Sequence, residues 1–222
     1  MKLDVPLVQQ KEDSVDCGIA VVTMILNYYG VQKSFEEIKR EIPTDQVGTY
    51  APQLGSFLVE QGFIVDIVTR NPLVFTKAHE GATKEETIKR FEELKAKGEK
   101  ETAANFFLQF LAKDRASVTV KIPSKQDIED EVKAGRPLVA FLTNAALYKE
   151  NLGEKYGKDF TYTFHSVVIS GIEDNKVVIN DPYWGEEGGV QEYQLEEFLY
   201  SLYTGSLGDL DNGCLIKIKK RE

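Results

Sequence analysis

Cys17 is the first residue whose type and position could carry chemistry. It is one of two cysteines in the chain, and it stands where the polar segment "DSVD" changes to the apolar segment "GIAVVTMIL". At the first turn of a helix, unpaired backbone N–H groups and the helix dipole favour negative charge, so a thiol there has a lowered pKa and reacts as a thiolate. Cysteine is also among the most buried residue types. This segment alone therefore predicts either a nucleophile or a structural core residue.

A thiolate nucleophile needs a partner that transfers protons. Of the two histidines, His165 stands at the polar-to-apolar border before the predicted strand "SVVISGI". His79 lies in the charged segment "KAHEGATK", which predicts a solvated or capping residue. His165 is therefore the candidate base, although a hydrogen-bonded structural histidine at a strand edge has the same sequence context.

An imidazole base needs a third group that fixes its tautomer and orientation. Asp181 is the candidate, because it ends the strand "NKVVIND", which forms a predicted hairpin with the strand after His165. A two-residue turn would place Asp181 opposite Val168, three residues from His165 and on the other face of the sheet. A β-bulge, for example at Gly171, or a longer turn would bring the two side chains together. Asp-Pro can also simply begin a turn.

The charge that develops on a substrate carbonyl oxygen needs hydrogen-bond donors. A side-chain amide shortly before the nucleophile can join the Cys17 backbone N–H in this role. Gln9 and Gln10 are the nearby amides, and both are also ordinary residues for a polar leading loop. We further expect Gly18, which follows the thiol, to leave room for a substrate backbone.

The predicted elements that position these residues form an α+β fold. A helix over residues 17–29 is apolar around most of its circumference, which predicts a buried central helix, with Asp16 or Ser14 as its N-cap and Gly30 at its end. Helices dominate the first half of the chain and an antiparallel sheet the second, an order typical of α+β proteins. The further predicted segments are helices over 34–41, 51–61, "PSKQDIEDEVKAG" and "LEEFLYSLY", and strands "FIVDIVT", "SVTVKI", "RPLVAFLTN", "HSVVISGI", "NKVVIND" and "GCLIKIKK".

Residues 72–116 are predicted to be a helical insertion within one domain that spans residues 1–222. The segment is charged and helix-favouring, and Gly98 divides it into two predicted helices. Two interpretations stay open: a helical arm packed on the core, or a lid that selects substrates. The residues expected to bury one face are Phe91, Leu94, Phe106, Phe107, Phe110 and Leu111.

Composition argues against several classes of function. A net charge of −9 disfavours nucleic-acid binding, which needs clustered Lys and Arg. Two cysteines are too few for a disulfide scaffold, Cys214 is expected in the core of a strand, and no spacing predicts a metal site or a cofactor. No apolar run is long enough to span a membrane, and charge follows the N-terminus too closely for a secretory segment. We therefore expect a cytoplasmic protein.

The order of these motifs resembles the papain-like cysteine peptidases, and more closely the C39 peptidase and C39-like family. The similarity covers residues 5–70 and 118–218 and leaves the helical insertion outside. The matching segments are "VPLVQQKEDSVDCGIAVVTMILNYYG", "VGTYAPQLGSFLVEQGF", "AGRPLVAFLT" and "HSVVISGIEDNKVVINDPYWG".

The resemblance implies a papain-like fold and a role for each matching residue. Cys17 would be the nucleophile, His165 the base, Asp181 the group that orients the imidazole, and Gln10 the oxyanion donor. The family usually places its glutamine six residues before the cysteine, where this chain has Lys11. The choice between Gln10 and Gln9 therefore stays open.

The resemblance also implies a function without naming a substrate. Classical C39 proteases remove leader peptides after a double-glycine motif and are fused to ABC exporters. This chain lacks the G-x-x-x-x-G-K-[ST] motif of such exporters, so we expect a stand-alone domain that hydrolyses a peptide or amide bond in a peptide or protein substrate. Two alternatives use the same fold: acyl transfer to an amine, and peptide binding without cleavage.

Overall fold

One seven-stranded sheet organises the part of the chain that the computed structural model describes, which is residues 1–45, 48–151, 164–206 and 211–221. The strands lie in the order β2-β1-β7-β3-β4-β5-β6. They are β1 Phe63–Thr69, β2 Ala116–Val120, β3 Leu138–Thr143, β4 Phe164–Glu173, β5 Lys176–Asp181, β6 Gly189–Gln194 and β7 Cys214–Lys220. The helices are α1 Cys17–Tyr28, α2 Phe35–Glu41, α3 Ala51–Glu60, α4 Lys84–Ala96, α5 Glu101–Leu111, α6 Lys125–Lys133, α7 Asn144–Leu147 and α8 Leu195–Gly205, with a 3₁₀ helix at Lys77–His79.

The α+β class and most of the predicted elements are confirmed. One pair of neighbouring strands, β1 and β2, runs parallel, while the other described neighbouring strands are antiparallel. The connection from β1 to β2 contains α4 and α5, which is long enough for the crossover that parallel strands require. None of the described helices is long and apolar enough to cross a membrane.

Helix α1 is the buried central helix that its sequence predicts. Every residue from Gly18 to Leu26 is buried, and the helix packs against α2, α3 and β4. Asp16 stands at the predicted N-cap position and Gly30 has the predicted left-handed φ of 74°. The predicted side-chain capping was wrong, since in the described contacts neither Asp16 nor Ser14 accepts a hydrogen bond from the first turn. Asp16 is instead paired with Lys39 at 2.6 Å, and the Ser14 hydroxyl donates to a loop carbonyl.

The predicted helical insertion forms a hairpin of α4 and α5 whose apolar face is buried. Phe91 stacks on Phe107 with ring centroids 4.3 Å apart, and α5 packs on α3 and β2. All but one of the expected core residues are fully buried; the exception is Phe106, which is half-exposed and lies against Tyr50. The assignment of residues 72–116 as an insertion within a single domain stays a prediction.

Helix α7 and strand β6 were not predicted from the sequence. The one-turn helix α7 is too short to show a helical period, and strand β6, "GVQEYQ", has too few apolar residues for a strand signal. Helix α7 follows β3 directly, and β6 pairs with β5 along its whole length.

Asp127 supports the fold away from the helix that carries Cys17. It is 2% exposed, completes the capping box of α6 with Ser124, and forms ion pairs with Lys121 at 2.7 Å and Lys217 at 2.8 Å. Burial opposes its charge, but hydrogen bonds from the two ammonium groups and from Ser124 outweigh burial and lower the pKa of Asp127 to about 2.

We expect Asp127→Asn to lower the free energy of unfolding by about 1–2 kcal/mol at neutral pH, after discounting for the partly exposed lysines. A carboxyl group with a lowered folded-state pKa stabilises the protein above its unfolded pKa. The difference between wild type and variant should therefore be complete above about pH 4 and vanish as the pH falls through about 2. Urea unfolding across this range measures it, and a difference that does not change with pH would contradict the assignment.

Candidate active site

Cys17 is the first residue of α1 and is partly exposed to solvent. The side chain of the N-cap residue, Asp16, accepts no hydrogen bond from this end of the helix, where backbone N–H groups and the helix dipole favour a negative charge. The other cysteine, Cys214, is fully buried at the start of β7, as predicted, and burial raises its pKa well above the ordinary thiol value. The two cysteines therefore differ in exposure, and only Cys17 lies at the start of a helix.

Gly18 has a packing role that the sequence did not suggest. A Cβ atom at this position would lie 1.8 Å from Thr49 Oγ1 and 3.2 Å from Leu54 Cδ1. Gly18 is buried, and the space beside it is filled by Thr49, which precedes α3, and by Leu54 of α3. The expectation that Gly18 leaves room for a substrate backbone was therefore wrong, because neighbouring side chains occupy that space.

The relative placement of His165 and Asp181 depends on a β-bulge. The hairpin register starts as expected, with Glu173 opposite Lys176, and shifts by one residue between Gly171 and Ile169. Asn180 thus pairs with Val168, and the next position, Asp181, falls opposite Val167. Val167 and His165 share one face of β4, so a bulge of one residue makes His165 and Asp181 diagonal neighbours.

The two side chains meet directly. His165 Nε2 lies 2.7 Å from Asp181 Oδ1, with His165 5% exposed and Asp181 fully buried. Asp181 also accepts hydrogen bonds from the Tyr183 backbone N–H at 2.9 Å and from the Tyr148 hydroxyl at 2.8 Å. Because Asp181 engages Nε2, the other ring nitrogen, Nδ1, is the one available to a further partner.

That further partner is the thiol of Cys17. Burial raises the pKa of the thiol, but the hydrogen bond and charge of His165, assisted by Ser166, outweigh burial and lower it. In turn, burial disfavours protonated His165, but the Asp181 charge and hydrogen bond, with the Cys17 contribution, raise the pKa of the imidazole to about 10. The lowered thiol pKa and the raised imidazole pKa both favour a thiolate beside an imidazolium.

Ser166 was not predicted to be a residue of the site. Its hydroxyl is completely buried next to the Cys17 sulfur and, within the described part of the chain, has no hydrogen bond of standard geometry. Because Ser166 directly follows His165 on β4, the strand that supplies the imidazole also supplies a second polar group close to the sulfur.

Gln10 and Gln9 differ in burial and in hydrogen bonding. Gln10 is 7% exposed, and its backbone N–H donates to Pro182 O at 2.7 Å, next to Asp181 in the chain. Its Nε2 donates to Ser14 O at 2.6 Å, and its Oε1 is buried without a hydrogen-bond partner among the described residues. Gln9 is exposed and donates to the Tyr183 carbonyl oxygen at 3.4 Å. Burial therefore favours Gln10 over Gln9 as a residue of the site.

Tyr183 and Tyr148 lie beside the site, and His79 has a separate role in capping. Tyr183 packs against Trp184, Tyr148 and the imidazole of His165, with ring centroids 4.3, 5.9 and 6.5 Å apart. His79 accepts a hydrogen bond from the Thr76 backbone N–H, so it is a capping residue, as its segment predicted. Tyr148 was missed because it follows the unpredicted helix α7, and no spacing in the sequence connects it to Asp181.

A model of the Peptidase_C39 like family matches residues 2–205 of the chain. No match is found among the curated proteins. Among solved structures, a protein from Bacillus anthracis described as a C39-like peptidase has a TM-score of 0.57 at 16% identity, with 100% of this chain and 99% of that chain covered. This likeness shows the fold.

Two further solved structures are similar to the chain. One is a double glycine motif protease from an AMS/PCAT transporter in complex with the leader peptide, with a TM-score of 0.49, 14% identity and coverage of 99% and 94%. The other is the peptidase domain of Streptococcus ComA, a bi-functional ABC transporter, with a TM-score of 0.48, 16% identity and coverage of 97% and 98%.

Proposed function

The chain belongs to the C39-like peptidase family, and from this premise we propose that it is a cysteine hydrolase that cleaves a peptide or amide bond. The observation that best supports the proposal is the continuous contact from Cys17 through His165 to Asp181. Each residue type has the chemistry that its position requires: a thiol with a lowered pKa, an imidazole beside it, and a buried carboxylate on the far ring nitrogen.

In the proposed first half-reaction, the Cys17 thiolate attacks the substrate carbonyl carbon. A C–S bond forms, and the carbonyl π electrons move to the oxygen. When the tetrahedral intermediate collapses, the C–N bond breaks and the imidazolium of His165 gives its proton to the leaving amine. The product is an acyl-enzyme joined through a thioester.

In the second half-reaction, water replaces the thiolate. His165, now neutral, takes a proton from a water molecule that attacks the thioester carbonyl. The C–S bond breaks, a carboxylic acid leaves, and the thiolate–imidazolium pair is restored. Asp181 holds the imidazole by Nε2 in both steps, so Nδ1 keeps facing the sulfur and the reacting atoms.

The oxyanion would be held at the start of α1. The backbone N–H of Cys17 lies at the start of a helix whose N-cap residue, Asp16, makes no side-chain hydrogen bond to it, and Gln10 is buried close to Pro182. One proton of the Gln10 amide nitrogen goes to Ser14 O, which leaves the second for an acceptor. We propose that these two donors stabilise the developing charge.

Selective alkylation tests the nucleophile without knowledge of the substrate. We expect iodoacetamide to modify Cys17 of the folded protein at neutral pH at least about a hundredfold faster than Cys214, because only Cys17 is a partly exposed thiol with a lowered pKa. Peptide mass spectrometry over time measures both rates. Equal rates at the two cysteines, or no modification of Cys17, would count against the proposed hydrolase.

A further inference from the structure

Tyr148 contacts the candidate active site. The proposed scheme of thiol, imidazole and carboxylate gives this residue no role. It is the C-cap residue of α7, and its backbone N–H donates to Asn144 O at 2.7 Å. Its hydroxyl donates to Asp181 Oδ2 at 2.8 Å, and its ring packs against those of His165 and Tyr183. Helix α7 is itself held against α8. The position of the Tyr148 hydroxyl is therefore fixed by the end of α7 and by the packing of α7 on α8.

The two carboxylate oxygens of Asp181 have different partners. Oδ1 accepts from His165 Nε2 and from the Tyr183 backbone, whereas the hydrogen bond to Oδ2 comes from Tyr148. Asp181 is fully buried, so an oxygen that loses its donor cannot turn to bulk water. A buried carboxylate that lacks a partner on one oxygen is free to rotate, and rotation weakens its hold on the imidazole.

We propose that Tyr148 is a positioning residue of this site, whose hydroxyl fixes Asp181 Oδ2 so that Oδ1 stays aligned with His165 Nε2. The inference rests on the proposed function and adds a fourth member to the hydrogen-bonded series. Tyr148 acts on the thiol through Asp181 and His165. It takes no part in the bond-making steps, and its effect appears in how readily the thiolate forms.

Tyr148 is suited to this role at every pH at which the protein works. Burial and the negative charge of Asp181 raise the pKa of the phenol far above its ordinary value. The hydroxyl therefore keeps its proton and continues to donate to the carboxylate while His165 titrates.

The experiment compares the pH dependence of Cys17 alkylation in wild type, Tyr148→Phe and Tyr203→Phe. Tyr203 is the matched control, because its hydroxyl also donates a 2.8 Å hydrogen bond, but to Pro123 O. For Tyr148→Phe we expect the midpoint of the alkylation profile to move to higher pH and the rate at mildly acidic pH to fall about tenfold. For Tyr203→Phe we expect the wild-type profile.

A double-mutant cycle separates a positioning role from a structural one. If Tyr148 acts through Asp181, Tyr148→Phe should change the profile in the wild-type background and produce no further change in the Asp181→Asn background. Tyr148→Leu, which also removes the hydroxyl donor and keeps an apolar side chain, takes the place of Tyr148→Phe in the same cycle if the latter does not fold.

The outcomes also distinguish the inference from the function on which it rests. If wild-type Cys17 is not selectively alkylated, the proposed function fails. If wild-type Cys17 is selectively alkylated but the Tyr148 variant has the wild-type profile, or if its effect is the same with and without Asp181, the role of Tyr148 is overturned and the proposed hydrolase is not.

Discussion

Replacing Cys17 by alanine is expected to abolish bond cleavage, with a loss of at least about a thousandfold in rate. The attack on the carbonyl carbon needs a thiolate, and alanine offers no atom that can form the acyl-enzyme. Cys17 is partly exposed at the start of α1 and the change is small, so we expect the variant to fold with a similar thermal midpoint. A peptide library incubated with the protein and read by mass spectrometry for new termini measures cleavage.

Cys214→Ala provides the matched control for this experiment. Cys214 is fully buried on β7 and its thiol donates to Asp211 O at 3.0 Å, so its loss should affect stability more than activity. New termini produced equally by wild type and Cys17→Ala would refute the nucleophile. If wild type joins an added amine to the peptide acyl group instead of releasing an acid, the acyl-transfer alternative is correct. If wild type binds peptides and cuts none, the chain is a binding module.

Replacing Asp181 by asparagine is expected to move the reactivity of Cys17 towards that of an ordinary thiol. The raised pKa of His165, about 10, depends on the buried carboxylate at Nε2, and the lowered pKa of Cys17 depends on protonated His165. A neutral amide cannot hold the imidazolium. The pKa of His165 should therefore fall, the pKa of Cys17 should rise, and the fraction of thiolate at mildly acidic pH should drop roughly a hundredfold.

The pH profile of Cys17 alkylation measures this change directly. In wild type the rate should stay high from mildly acidic pH into the alkaline range, where His165 loses its proton at about pH 10. In Asp181→Asn the rate should rise continuously with pH. Asp127→Asn is the control, since it also replaces a buried carboxylate but lies at the start of α6, in a network with Lys121 and Lys217. Superimposable profiles for wild type and Asp181→Asn would exclude a role for Asp181.

Most of the local structure followed from patterns that are complete within a few residues. The left-handed Gly30 and the hairpin turn in which Asp174 and Asn175 both have positive φ are local features. Their energies depend on neighbours in the chain, so the sequence displays them directly. The same holds for α1, whose apolar circumference predicts its burial.

The elements that failed to appear in the sequence analysis are those whose stability is supplied by the rest of the molecule. Helix α7 has a single turn, and an isolated turn is unstable. It is held by α8. Strand β6 has little apolar character and is ordered by its ladder with β5. Because Tyr148 follows α7, its place beside Asp181 could not be read from spacing.

The sequence by itself determined the helix that begins at Cys17 and the strands that carry His165 and Asp181. It also showed that these segments resemble the C39-like family. Only the tertiary structure decided how they meet. A bulge of one residue between Ile169 and Gly171 shifts the hairpin register, and alternation of side chains then brings Asp181 to the face of His165. The packing of α1 against β4 brings the thiol to that imidazole. Both depend on contacts between residues far apart in the chain, which no local pattern specifies.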